Sequence, residues 1–112
     1  MSDLIGPVFA ALADPTRRHV VETLVRDGST SVPALSAALP ITRQAIAKHL
    51  AALGDAGLIE RVAGGTGTGR EVHYRLRAGA LRPASAWLDE TAAAWDDRLA
   101  RLKRSVEIPR DR

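Results

Sequence analysis

Only three residues, Pro40-Ile41-Thr42, separate two stretches of helical hydrophobic spacing, and the spacing changes to period two soon after the second stretch ends. No other feature constrains the fold as much. On the N-terminal side Leu35 and Leu39 lie four apart on one helix face, and Pro40 stops that helix. On the C-terminal side Thr42 is a good cap, and Ile46, Leu50 and Leu53 follow at i, i+4, i+7 until Gly57. So short a link is the length of a helix-turn-helix connection.

The segment that follows alternates. Leu58-Ile59-Glu60-Arg61-Val62-Ala63 and Arg70-Glu71-Val72-His73-Tyr74-Arg75-Leu76 read as two short strands. In the second, Val72, Tyr74 and Leu76 face one way while Glu71, His73 and Arg75 face the other. The stretch Gly64-Gly65-Thr66-Gly67-Thr68-Gly69 joins them as a flexible loop, giving a β-hairpin.

Upstream, Gly6-Pro7 opens an apolar segment, Val8 to Ala13, of about two helical turns. Asp14-Pro15 then starts a second helix, with Asp14 as cap and Pro15 at the first helical position. Val20, Val21, Leu24 and Val25 form its expected buried stripe, and Asp27-Gly28 ends it. The third helix begins near Thr30 or Ser31, with Pro33 in its first turn. Downstream of Gly79, with Pro83 in the first turn, nothing breaks a helix from Ala84 to Val106. Along it Leu88, Ala92, Trp95, Leu99, Leu102 and Val106 are spaced 4, 3, 4, 3, 4, a continuous heptad seam widened by Leu81 and Trp87.

Composition bounds what such a chain does. Its 112 residues make one small domain, with residues 1–106 as a single unit and 107–112 as a frayed tail. There is no apolar run long enough to span a membrane, and the N-terminus has no signal-peptide pattern. The absence of cysteine excludes disulfides, thiolate metal sites and cysteine nucleophiles, and fits a cytoplasmic protein. Aromatics are only 4%, which disfavours stacking on single-stranded bases. The net charge of +3 is unevenly placed: residues 1–41 carry −1, residues 42–82 carry +4 and residues 83–112 are neutral. A basic block confined to the helix-turn-helix and hairpin points to a polyanionic partner.

A helix-turn-helix followed at once by a hairpin is the winged-helix arrangement: mainly α with a β-hairpin and a long C-terminal helix. The second helix of the pair would enter the major groove of double-stranded DNA. With Ile46, Leu50 and Leu53 turned inward, its outward N-terminal face falls to Thr42, Arg43, Gln44, Ala47 and Lys48. Arg donates two hydrogen bonds to guanine, Gln pairs with adenine, and Lys and Thr reach phosphate. Arg70 would bring the hairpin loop to the backbone or the adjacent minor groove.

Four stretches, in order, also carry a family resemblance. They are Phe-Ala-Ala-Leu-Ala-Asp-Pro-Thr-Arg-Arg over 9–18, Leu-Ser-Ala-Ala-Leu-Pro-Ile-Thr-Arg-Gln-Ala-Ile-Ala-Lys-His-Leu over 35–50, Ala-Ala-Leu-Gly-Asp-Ala-Gly-Leu-Ile-Glu over 51–60 and Gly-Arg-Glu-Val-His-Tyr-Arg-Leu over 69–76. Across residues 8–104 the chain resembles ArsR-type winged-helix transcriptional regulators. The resemblance implies a homodimeric DNA-binding repressor that occludes a promoter operator. Its dimer would form through the first and last helices, here Phe9 with Leu88, Ala92, Trp95, Leu99 and Leu102. The family's thiolate motif would fall on Ser31 and Pro33, neither of which replaces a cysteine. Its other metal site would fall on the last helix, which offers Asp89, Glu90, Asp96 and Asp97 but no histidine. The resemblance is therefore to the non-metal-sensing branch, with no cofactor expected. The operator and any small-molecule inducer stay open.

Several residues admit a structural reading beside a functional one. His49, at the end of the Lys-His-Leu motif, either bonds the DNA backbone or packs and caps. Arg17 and Arg18 are expected to salt-bridge an acidic residue more than to touch phosphate. His19, His49 and His73 come from three elements, which argues against a metal cluster. The glycine-rich loop lacks Gly-Lys-Ser/Thr and leads into a strand, so it is not a nucleotide-binding loop. Trp87 and Trp95 are explained by core or dimer packing, with a ligand pocket as the rival. No catalytic motif is present, so an enzyme is not expected. The alternative to DNA binding is a winged-helix module that contacts protein through the same basic block.

Overall fold

The structure is a computed structural model that describes residue 3, residues 5–62 and residues 71–107. The chain order is α1 (Gly6–Leu12), α2 (Pro15–Asp27), β1 (Thr30–Ser31), α3 (Val32–Ala38), α4 (Arg43–Asp55), β2 (Ile59–Val62), β3 (His73–Leu76) and α5 (Arg82–Glu107). The winged helix-turn-helix expected from the sequence is present.

The predicted helix starts form through their side chains. Asp14 accepts from the Arg17 backbone N–H at 3.0 Å, Ser31 from Ala34 at 3.2 Å and Thr42 from Ala45 at 3.1 Å. Each satisfies one N–H that has no partner within its helix. α2 ends at Gly28, whose N–H donates to the Leu24 carbonyl at 2.8 Å and whose φ of 86° turns the chain out of the helix. Gly57, with φ 78°, makes the corresponding turn from α4 toward β2. A side chain at either position would strain the left-handed backbone.

The core lies where α2, α3 and α4 meet beneath the sheet. Val20, Leu24, Leu35, Ile46, Leu50, Leu53 and Leu58 are all buried there, with Val8 and Ala11 of α1 closing one side. All three periodic residues of α4 face inward, as the i, i+4, i+7 spacing predicts. That geometry leaves the opposite face of α4 for solvent or a partner.

Some expectations are corrected. Val25 is 67% exposed and lies outside the stripe formed by Val20, Val21 and Leu24. α3 stops at Ala38, and Leu39 packs from just beyond it with extended backbone. The strands are shorter than the alternating runs, so Leu58 is buried outside β2 and Val72 is half-exposed before β3. The sheet has three strands rather than two, in the order β1-β3-β2 and antiparallel throughout. β1 was missed because two residues are too few to show a period. Thr30 pairs with Tyr74 and Ser31 with His73, which ties the start of α3 to the wing. The glycine loop and Arg70 lie outside the described residues, as does the tail beyond Glu107.

α5 meets the body near its start. Ala84 is buried, and the Trp87 ring meets Phe9 edge-on, with centroids 5.7 Å apart and planes at 69°. From Ser85 to Val106 every residue is exposed in the single chain. The heptad seam is therefore present and uncovered, with Leu88, Trp95, Leu99 and Leu102 each about half-exposed.

Candidate nucleic-acid interface

α4 sets the geometry of the site. Because Ile46, Leu50 and Leu53 anchor one face, the residues between them are forced outward. Thr42, Arg43, Gln44, Ala47 and Lys48 are all exposed, as the sequence places them. Thr42, Gln44, Ala45, Ala47 and Lys48 line one shallow depression. Ala47 also borders a second groove that runs past Ala51 and Gly54 to Arg61 and Tyr74 of the sheet. The surface is thus continuous from the start of α4 to the stem of the wing. The N-terminus of α4 adds the partial positive charge of its unpaired N–H groups. Among the described residues Arg43 and Lys48 make no ion pair, so both cations are free to meet an anion.

The wing stem is less basic than its residue count implies. Glu60 stands directly opposite Arg75 across the sheet and accepts from its Nε at 2.9 Å. The other carboxylate oxygen lies 3.5 Å from Arg77 Nη1. The +4 of residues 42–82 already counts Glu60, and the pairing fixes where that negative charge acts, on Arg75 and Arg77. Cross-strand charge pairing of this kind follows from register, which the sequence alone did not reveal. His73, expected in solvent or near phosphate, sits half-buried with Nε2 3.3 Å from Glu71.

The two adjacent arginines do something the sequence reading missed. Arg18 Nη1 donates to the carbonyls of Leu12 and Ala13 at 2.7 and 3.1 Å. Arg17 Nε donates to the Ala11 carbonyl at 2.6 Å, and its Nη2 reaches the Ala10 carbonyl at 3.4 Å. Instead of salt-bridging an acid, the pair occupies carbonyls at the C-terminal end of α1 and its cap residue Ala13, where the helix ladder runs out of N–H donors. A cation suits that negative helix end.

His49 is placed apart from the exposed face. Its side chain is 22% exposed, with Nδ1 3.5 Å from Arg17 Nη1 and 3.8 Å from Asp14 Oδ2. Asp14 is held below the ordinary carboxylate range, first by the backbone N–H of Arg17 and further by the charges of His49 and Arg17. Ser31, at the position of the family's thiolate motif, is buried and used as the cap of α3.

These elements define the class: a winged helix-turn-helix protein with a solvent-facing recognition helix. Residues 12–62 match a family model described as a helix-turn-helix domain. The chain is similar to an ArsR-like transcriptional regulator from Rhodococcus sp. RHA1, a solved structure, at 41% identity over 93% of this chain and 91% of that one, with a TM-score of 0.77. It is 37% identical to the arsenic resistance transcriptional regulator ArsR1 of Pseudomonas putida, over 68% of this chain and 58% of that protein. It is 43% identical to the uncharacterized HTH-type transcriptional regulator YuzN of Bacillus subtilis, over 46% of this chain and 63% of that protein. The matches thus span about three fifths of the length of these two curated relatives. The chain belongs to the ArsR family of helix-turn-helix transcriptional regulators, and the fold is that of a regulator rather than an enzyme.

Proposed function

We propose that this chain is a cytoplasmic homodimeric repressor that occludes a promoter by binding a pseudo-palindromic operator in double-stranded DNA. The reading rests above all on the exposed start of α4, where Arg43, Gln44 and Lys48 stand free on a helix whose other face is locked into the core. In this role Arg43 and Gln44 read base edges, Ala47 meets the groove floor, and Thr42 and Lys48 bond phosphate. Arg70 adds a backbone or minor-groove contact from the hairpin loop. Dimerisation through Phe9 and the seam of α5 would set two recognition helices about one turn of DNA apart.

The same reading places the chain in the non-metal-sensing branch. The Pseudomonas relative is named for arsenic resistance. This chain contains no cysteine, so arsenite and other thiophilic ions lack the thiolates they prefer.

The test is a salt titration on an operator selected from random fragments and on a random duplex. Arg43→Ala and Gln44→Ala should each cost about 1–3 kcal/mol per base contact on the operator and little on random DNA. Lys48→Ala and Arg70→Ala should weaken both duplexes and flatten the salt dependence by roughly one unit per contact, doubled in a dimer. Equal losses on both duplexes for Arg43→Ala and Gln44→Ala would overturn the recognition-face assignment. No change in any of the four would make protein, not DNA, the partner.

A further inference from the structure

Arg17 reaches three elements at once. Its guanidinium holds the last turn of α1 through the Ala11 carbonyl at 2.6 Å and touches His49 of α4 at 3.5 Å, while its own backbone N–H is fixed by Asp14 at 3.0 Å. The same Nδ1 of His49 lies 3.8 Å from Asp14 Oδ2, so the guanidinium, the imidazole and the carboxylate meet in one cluster on the Nδ1 side of the ring. His49 follows directly on Lys48 in the recognition helix. α1 in turn carries Phe9, whose ring meets Trp87 of α5. A short chain of contacts therefore runs from the long helix, through α1 and Arg17, to the back of the recognition helix.

We infer that Arg17 and His49 form a brace that fixes the angle of α4 against the α1–α5 platform, so that both are positioning residues for operator recognition rather than DNA contacts. The inference rests on the DNA-binding reading above. A guanidinium is suited to this task, because its planar fork bonds two partners in fixed directions where an ammonium cannot. Two recognition helices must meet two half-sites in one register, so a small tilt of α4 harms the operator complex. Loose electrostatic binding to random DNA tolerates the same tilt.

The experiment uses the whole chain and separates the two nitrogens of His49. An asparagine amide oxygen stands near the position of Nδ1, whereas a glutamine amide reaches toward that of Nε2. If His49 braces through Nδ1, His49→Asn stays close to the unmodified protein. His49→Gln and His49→Leu then lose about two- to thirtyfold on the selected operator, with random-DNA affinity and salt slope unchanged. Arg17→Lys, which keeps the charge but not the fork, should show the same selective loss. Combined with His49→Leu it should lose much less than the two single losses together, since both break one brace. Thermal melts establish that each variant is folded.

Four results would overturn the inference. Retention of affinity by His49→Gln, with its loss by His49→Asn together with about one unit of salt slope, would make His49 a phosphate contact. Losses of Arg17→Lys and His49→Leu that simply add would make the residues independent. Equal losses on operator and random DNA with lowered melting would make the cluster structural only. Variants that all match the unmodified protein leave no brace. Failure of the unmodified chain to prefer any selected duplex is the distinct result that removes the DNA reading and this inference with it.

Discussion

If the chain pairs through α5 as proposed, Leu99→Asp should turn that dimer into monomers without unfolding either protomer. Leu99 is 44% exposed in the single chain, and Trp95 is 55% exposed one turn before it. With Trp87, Leu88 and Leu102 these residues leave roughly 500 Å² of apolar surface wet per protomer, at the upper end of what an ordinary monomer carries. Covering it on both protomers gains up to roughly 25 kcal/mol gross, against an association cost of about 4–15 kcal/mol. In each copy the substitution forfeits half of a leucine's transfer energy, about 1 kcal/mol. It also leaves a carboxylate to be desolvated, at several kcal/mol, and two-fold symmetry applies both terms twice. A total of even about 5 kcal/mol raises the dimer Kd by roughly 10³ to 10⁴. Beyond the Trp87–Phe9 contact, Leu88 to Val106 are exposed and outside the core of a single protomer, so helix content should persist. Sedimentation velocity from about 0.1 to about 100 μM spans the expected shift. Asp97→Ala, two residues away and on the opposite side of the helix, serves as the control that should stay dimeric. The seam is not an interface if the unmodified chain sediments as a monomer throughout, or if Leu99→Asp and the control give the same dimer.

Two further outcomes are expected. Replacing chelator with stoichiometric zinc, cadmium or arsenite should leave operator affinity unchanged, and a shift of about tenfold or more would reveal ligands that a cysteine-free chain should not have. Asp14 titrates below its ordinary value of 3.8 because the Arg17 N–H favours the carboxylate, so the folded chain binds this proton less readily than the unfolded one. Its stabilising contribution is present above that value and is lost as pH falls through the lowered native pKa. The advantage of the unmodified protein over Asp14→Asn in denaturant melts should therefore shrink with acid, and a gap that stays constant down to pH about 2 would refute it.

What the sequence made legible was local. Asp14 and Thr42 marked two helix starts, and Thr30 or Ser31 a third, because a cap acts within three residues of itself; Asp14, Ser31 and Thr42 are the residues that form the capping bonds. The inward stripe of α4 was equally plain, and with it the exposed set Thr42, Arg43, Gln44, Ala47 and Lys48. Val25 was misread for a related reason. Its spacing matches the stripe, but a stripe has a finite width, and its edge is set by which neighbours pack against it. β1 lay beyond reach because its pairing with β3 joins residues more than forty positions apart through two amides' worth of strand.

The site divides along the same line, and the division bears on how the surface works. Counting charges identified the basic block, but not that Glu60 holds Arg75 and Arg77 on the wing stem. That pairing leaves Arg43 and Lys48 on α4 and Arg61 on β2 as the cations of this face with no ion pair among the described residues. Likewise Arg17 and Arg18, expected to pair with an acidic residue, hold carbonyls at the end of α1 instead. Both cases move positive charge from non-specific attraction into architecture. If the chain binds DNA as proposed, fewer free arginines pull on any phosphate and a larger share of the binding energy falls to Arg43 and Gln44. In that reading, the acid on the wing and the arginines behind α1 favour discrimination between duplexes over affinity for all of them.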